Sequence, residues 1–94
     1  GNQVIYSGAN GIAVRNGSGF GVLDNEVDFS NKNGIYVDNA GLFLIAGNDV
    51  DNSRNDGIAV EDGSGFGVIG NTVDHSSRDG IHIERSSAFG VIDN

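Results

Sequence analysis

The chain has 94 residues, 16 of them Gly, and no Cys, Pro, Met or Trp. That length bounds it to one small domain, the lack of Cys excludes a disulfide framework or a thiolate metal site, and no apolar run nears the ~18 residues of a membrane helix. Thirteen Asp+Glu against five Lys+Arg give a net charge of −8, which argues against a nucleic-acid backbone as partner.

The predicted elements recur with a fixed spacing. Four segments of 23 residues follow one another without a gap, at 2–24, 25–47, 48–70 and 71–93. Each opens with Asn (Asn2, Asn25, Asn48, Asn71), and Asn94 opens a fifth. A short strand follows, centred on Val4, Val27, Val50 and Val73, and then the Ser column Ser7, Ser30, Ser53 and Ser76. The second strand is Gly-Ile-x-Val, with Ile12/Val14, Ile35/Val37, Ile58/Val60 and, in the last copy, Ile81/Ile83. The third is Phe-x-Val: Phe20/Val22, Phe43/Ile45, Phe66/Val68 and Phe89/Val91. Apolar residues alternate in all three, which is the period of a strand rather than of a helix.

Gly, Asn, Asp and Ser fill the intervals, as turns require. Gly17-Ser18-Gly19 and Gly63-Ser64-Gly65 read as bends, because no strand-loop-helix follows to make a phosphate cradle. The Asn16-Gly17-Ser18 sequon reads as turn composition. Three strands and three bends per 23 residues describe one coil of a solenoid, with strand stacked on strand about 4.8 Å apart. Five inward columns then form the core: the Val after each Asn, the Ile and Val of the second strand, and the Phe and Val of the third. A leucine-rich repeat can share the period, but it wants Leu three positions before the Phe, where Gly17, Ala40, Gly63 and Ser86 stand.

The pattern Asn-x-Val-x-x-Ser-x-x-x-Gly-Ile-x-Val, then Phe-x-Val before the next Asn, resembles the parallel β-helix repeat of pectate-lyase-like proteins over the whole chain. The resemblance implies an all-β fold: a right-handed parallel β-helix of four coils, with three short strands per coil. It also implies a stacked Asn ladder through Asn25, Asn48 and Asn71 at a tight turn. Activity is not implied, since the same coil serves lyases, epimerases, glycosidases, phage tailspikes and plain scaffolds. The Asp-Pro-His element of alginate epimerases cannot occur without Pro, and the Asp-Asp, Gly-His-Gly and Arg-Ile-Lys elements of polygalacturonase-type glycosidases are absent. A natural member of this class would work outside the cell or on a phage or cell surface.

Candidate chemistry lies on the outward rows. On the second strand these are Ala13, Tyr36, Ala59, His82 and Arg15, Asp38, Glu61, Glu84. Glu61 and Glu84 fall about 5 Å apart on adjacent rungs, near a retaining-glycosidase spacing, and Asp38 and Glu84 about 9–10 Å apart, at the inverting limit. Tyr36 and His82 beside them could bind or protonate a sugar oxygen. The bland alternative is a solvated sheet face whose charges keep the chain soluble. Of the arginines, only Arg15 shares a row with carboxylates. A second acidic row, Asp28, Asp51 and Asp74, follows the first-strand Val; calcium is the one cofactor it suggests, by carboxylate bridging. His75 and His82 sit on different strands and should not meet in a two-His site.

By segment the net charge runs 0, −2, −4 and −2. The segment boundaries leave no room for a cap at either end, which suggests a segment excised or engineered on repeat boundaries, or copies stacking end to end. The expected function is a non-catalytic structural module that associates with itself. The rival is a polysaccharide-binding or polysaccharide-processing face over Tyr36, Asp38, Glu61, His82 and Glu84.

Overall fold

In the computed structural model, which describes Gly1–Asn94, every paired strand lies parallel to the one 23 residues away. In chain order the strands are β1 (Gln3–Ser7), β2 (Ile12–Arg15), β3 (Ser18–Leu23), β4 (Glu26–Ser30), β5 (Ile35–Ala46), β6 (Asp49–Ser53), β7 (Ile58–Ile69), β8 (Thr72–Asp74), β9 (Ile81–Glu84) and β10 (Ser87–Ile92). One sheet is β1-β4-β6-β8, built from the segment after each Asn. The other runs β10-β7-β5-β2, with β3 on β5 and β9 on β7. There are no helices.

The first and last coils keep three separate strands. In the middle two the second and third run on as one twelve-residue strand, bent within β5 and β7. A middle coil has a neighbour on both sides, so pairing such as Ala40 with Gly63 persists around the bend. The bending itself is done by left-handed residues at four fixed places per coil. These are Tyr6, Phe29, Asn52 and His75; Asn16, Asn39, Asp62 and Arg85; Gly19, Leu42, Gly65 and Ala88; and Asp24, Gly47, Gly70 and Asp93. Most are not Gly, so stacking on the neighbouring coil holds backbone that an isolated L-residue would avoid.

The core is the five predicted columns. Val27, Ile35, Val37, Ile45, Val50, Ile58, Val60 and Val68 are fully enclosed, and Val4, Ile12, Val14, Phe20, Val73, Ile81 and Ile83 pack against them. The four Phe rings stack in one file, with centroids 5.0, 4.6 and 5.2 Å apart. Phe43 is 5% exposed, whereas Phe89 at the end is 46% exposed. Gly11, Gly34 and Gly57 are set by close approach rather than by backbone angle. A Cβ on any of them would collide with Val27, Val50 or Val73 of the next coil.

Asn side chains close one corner. The backbone N–H and Nδ2 of Asn25 donate to Oδ1 of Asn48 at 3.0 and 2.9 Å, and those of Asn48 to Oδ1 of Asn71 at 2.9 and 2.8 Å. Asn48 and Asn71 also donate Nδ2 to the carbonyls of Val22 and Ile45. Asn2 and Asn94 extend the same ladder at its two ends. A second corner is closed by Asn10, Asn33 and Asp56, whose Oδ1 atoms accept the backbone N–H of Asn33, Asp56 and Asp79.

Candidate functional site

The outward rows of β5, β7 and β9 bring the candidate residues onto one face, in the register Tyr36–Ala59–His82 and Asp38–Glu61–Glu84. They are tied to one another. Tyr36 donates its hydroxyl to Glu61 Oε2 at 2.9 Å, leaning across the rung. Ala59, expected on the open face, is 2% exposed, because Tyr36 and His82 flank it in the same row. Burial, the hydrogen bond to Glu61 and the charges of Glu61 and Asp38 push the Tyr36 phenol up to about 12. The Arg15 guanidinium lies 5.4 Å from the centre of the Tyr36 ring.

Arg85 is the residue the row pattern hides. It occupies a left-handed corner (φ 47), one position beyond the row. Its side chain reaches three carboxylates: Asp62 at 2.9 and 3.2 Å, Glu84 at 3.2 Å and Glu61 at 3.7 Å. The Arg85 hydrogen bond holds the Asp62 carboxyl below the usual carboxylate range, and Asp62 in turn raises the Arg85 guanidinium. The Arg85 guanidinium thus lies between Glu61 and Glu84 and links the outward charges of two adjacent coils. His82 lies 3.2 Å from Asp79 and 3.8 Å from Glu84.

The second acidic row is also in register, Asp28 beside Asp51 beside Asp74. Its charges are interleaved with donors. Asn52 donates Nδ2 to Asp28 and its backbone N–H to Asp51, and His75 Nδ1 lies 2.8 Å from Asp51. The hydrogen bond to Asp51, aided by its charge, holds the His75 imidazole protonated to higher pH than a free one. Asp28 and Asp51 line a depression of about 110 Å3 with Glu26 and Asp49. No set of three or more His, Asp or Glu side chains converges closely enough to hold a metal ion. His75 and His82 have different carboxylate partners, Asp51 for the first and Asp79 and Glu84 for the second.

A further cluster departs from the strand pattern. Tyr6 and Phe29 stand two residues after Val4 and Val27, where strict alternation would turn them inward, but their left-handed backbone (φ 57 and 54) faces them outward, and their stacked rings border a groove that also takes in Asn52 and Arg54. The only mark in the sequence is an aromatic residue at the same place in two successive segments, followed by Asn52 and His75 in the next two.

Comparison with known proteins gives one match: the family model of the right handed beta helix region covers residues 1–94. No curated protein and no solved structure matches the chain.

Proposed function

The chain belongs to the right-handed β-helix family, and from that premise we propose that it is a structural solenoid unit that joins to further coils of its own kind, a second copy included. The observation that carries this is the polarity of its ladders. At the Asn corner each backbone N–H points toward the C-terminal end, as from Asn25 to Asn48. At the second corner each points toward the N-terminal end, as from Asp79 to Asp56. One end face therefore complements the other and not itself, which favours head-to-tail joining that does not close into a ring. The apolar columns support the same reading. Val4, Ile12 and Val22 border a concavity of about 400 Å3 at one end, while Phe89 and Val91 stand half-exposed at the other.

Light scattering of the 94-residue chain from micromolar to millimolar concentration tests it. Average mass is expected to rise with concentration, and to stay at the monomer value in Val91→Lys, with circular dichroism verifying that the variant keeps its strands. A wild-type chain that stays monomeric throughout overturns the reading.

The shared face of Tyr36, Asp38, Glu61, His82 and Glu84 favours a second reading, a saccharide-binding or saccharide-processing surface. A glycan array with and without calcium separates the two: binding abolished by Glu61→Ala supports the saccharide face.

A further inference from the structure

Where the first sheet ends, two aromatic rings stand in solvent. Tyr6 and Phe29 hold the same left-handed place in successive coils, and their rings stack with centroids 4.9 Å apart and planes 13° apart. Tyr6 is 75% exposed and Phe29 43%. The other aromatic stack of this chain, from Phe20 to Phe89, is built into the core and contributes burial there; this one leaves most of that contribution unused. Beside the rings opens a groove of about 370 Å3, within the ordinary range of small-molecule sites, where Ser7, Asn31, Asn52 and Arg54 join Tyr6 and Phe29. No carboxylate lines it.

The distribution of cations is the second observation. Arg85 is bound up with carboxylates and Arg15 lies over Tyr36. Lys32, Arg54 and Arg78 enter none of the ion pairs, which are made by His75, His82 and Arg85. All three sit in the turn just after the Ser column, on successive coils. Their backbone N–H groups step along it, Lys32 to Ala9, Arg54 to Ser30 and Arg78 to Asn55. Of the three, Arg54 lines the aromatic groove, so in a chain of net charge −8 the groove carries a cation that no ion pair occupies.

We propose that this groove binds a ring compound carrying a single anionic group. The apolar ring lies against the Tyr6–Phe29 pair, the anion on the Arg54 guanidinium, and any hydroxyls on the Asn31 and Asn52 amides. A singly charged acidic sugar unit matches all three features. A polyanion does not, because Asp28, Asp51 and Asp74 lie along the adjoining sheet and repel each further negative charge. The groove is independent of the end faces, so this inference goes beyond the scaffold reading and its failure would leave that reading untouched.

Titrating the isotope-labelled chain by NMR with methyl glucuronide, methyl glucoside, benzoate and a glucuronate oligomer tests it. Methyl glucuronide is expected to shift backbone amides at residues 6–8, 29–31 and 52–54, with affinity falling about tenfold or more in Arg54→Gln, the loss of one charge-assisted hydrogen bond. Tyr6→Asn should weaken binding without unfolding, since Asn52 already holds the same left-handed place in the third coil. The glucoside should bind more weakly, and the oligomer no more tightly than the single sugar. Benzoate shifting those amides while the glucuronide does not would support a ring anion and identify an aromatic acid rather than a sugar as its source. No shift there from either anion, unchanged binding in Arg54→Gln, or affinity that grows with oligomer length overturns the proposal.

Discussion

At the Asn corner the side chain works in both directions. Asn48 accepts from Asn25 through Oδ1 and donates through Nδ2 to Asn71 Oδ1 and the Val22 carbonyl. A carboxylate there would set oxygen against oxygen, so only an amide fits, and Asn stands at every turn of that ladder. At the second corner the side chain only accepts, from the N–H of the next coil. Asn10, Asn33 and Asp56 all serve in that column because Asn and Asp alike supply the one atom required. In a third polar column Ser7 donates to the Asn10 carbonyl, but Ser30, Ser53 and Ser76 bury hydroxyls with no hydrogen-bond partner. The lesson is that residue choice in a solenoid follows from how many of the side chain's donors and acceptors the next coil uses.

The largest expected effect is at the two-way corner. Asn48→Asp should cost about 3–5 kcal/mol at neutral pH, from a buried charge facing two oxygens, measured by urea denaturation. Those oxygens raise the introduced carboxyl's pKa above its unfolded value. The deficit is therefore small in acid, where the group is protonated, and grows as pH rises through the raised pKa. Next, Asp56→Ala leaves the Asp79 N–H without its acceptor and should cost about 1–2 kcal/mol in the same assay. Ser53→Ala runs the other way. Removing a buried hydroxyl that bonds nothing should stabilise by up to about 1 kcal/mol, read as a higher melting temperature. Smallest of all, Asp56→Asn keeps the accepting oxygen and should fall within about 0.5 kcal/mol of the parent. A large loss there would erase the distinction between the corners.

The coil was legible because its period is unbroken: Val, Ile and Phe recur at intervals of 23, and the resemblance of the motif pointed to the Asn ladder. The second corner was not, since a mixture of Asn and Asp does not read as one column until a shared backbone donor joins them. Nor were the left-handed places at Tyr6, Phe29, Leu42 and Ala88, because nothing in those side chains announces such a backbone; the neighbouring coil imposes it. Arg85 escaped for the same reason. Row arithmetic assumes a straight strand, and Arg85 lies where the strand turns, so its guanidinium reaches carboxylates of two coils. The register of Tyr36, Asp38, Glu61, His82 and Glu84 along the strands followed from the period, while the reach of Arg85 to that row did not.

Hydrogen exchange of the Asn side-chain amides tests the central claim most directly. Coils stacked with Asn over Asn enclose the Nδ2 protons of Asn48 and Asn71, which are expected to exchange far more slowly than those of the exposed Asn31 and Asn39. Equal, rapid exchange at all four would contradict the stacked ladder, and with it the coil.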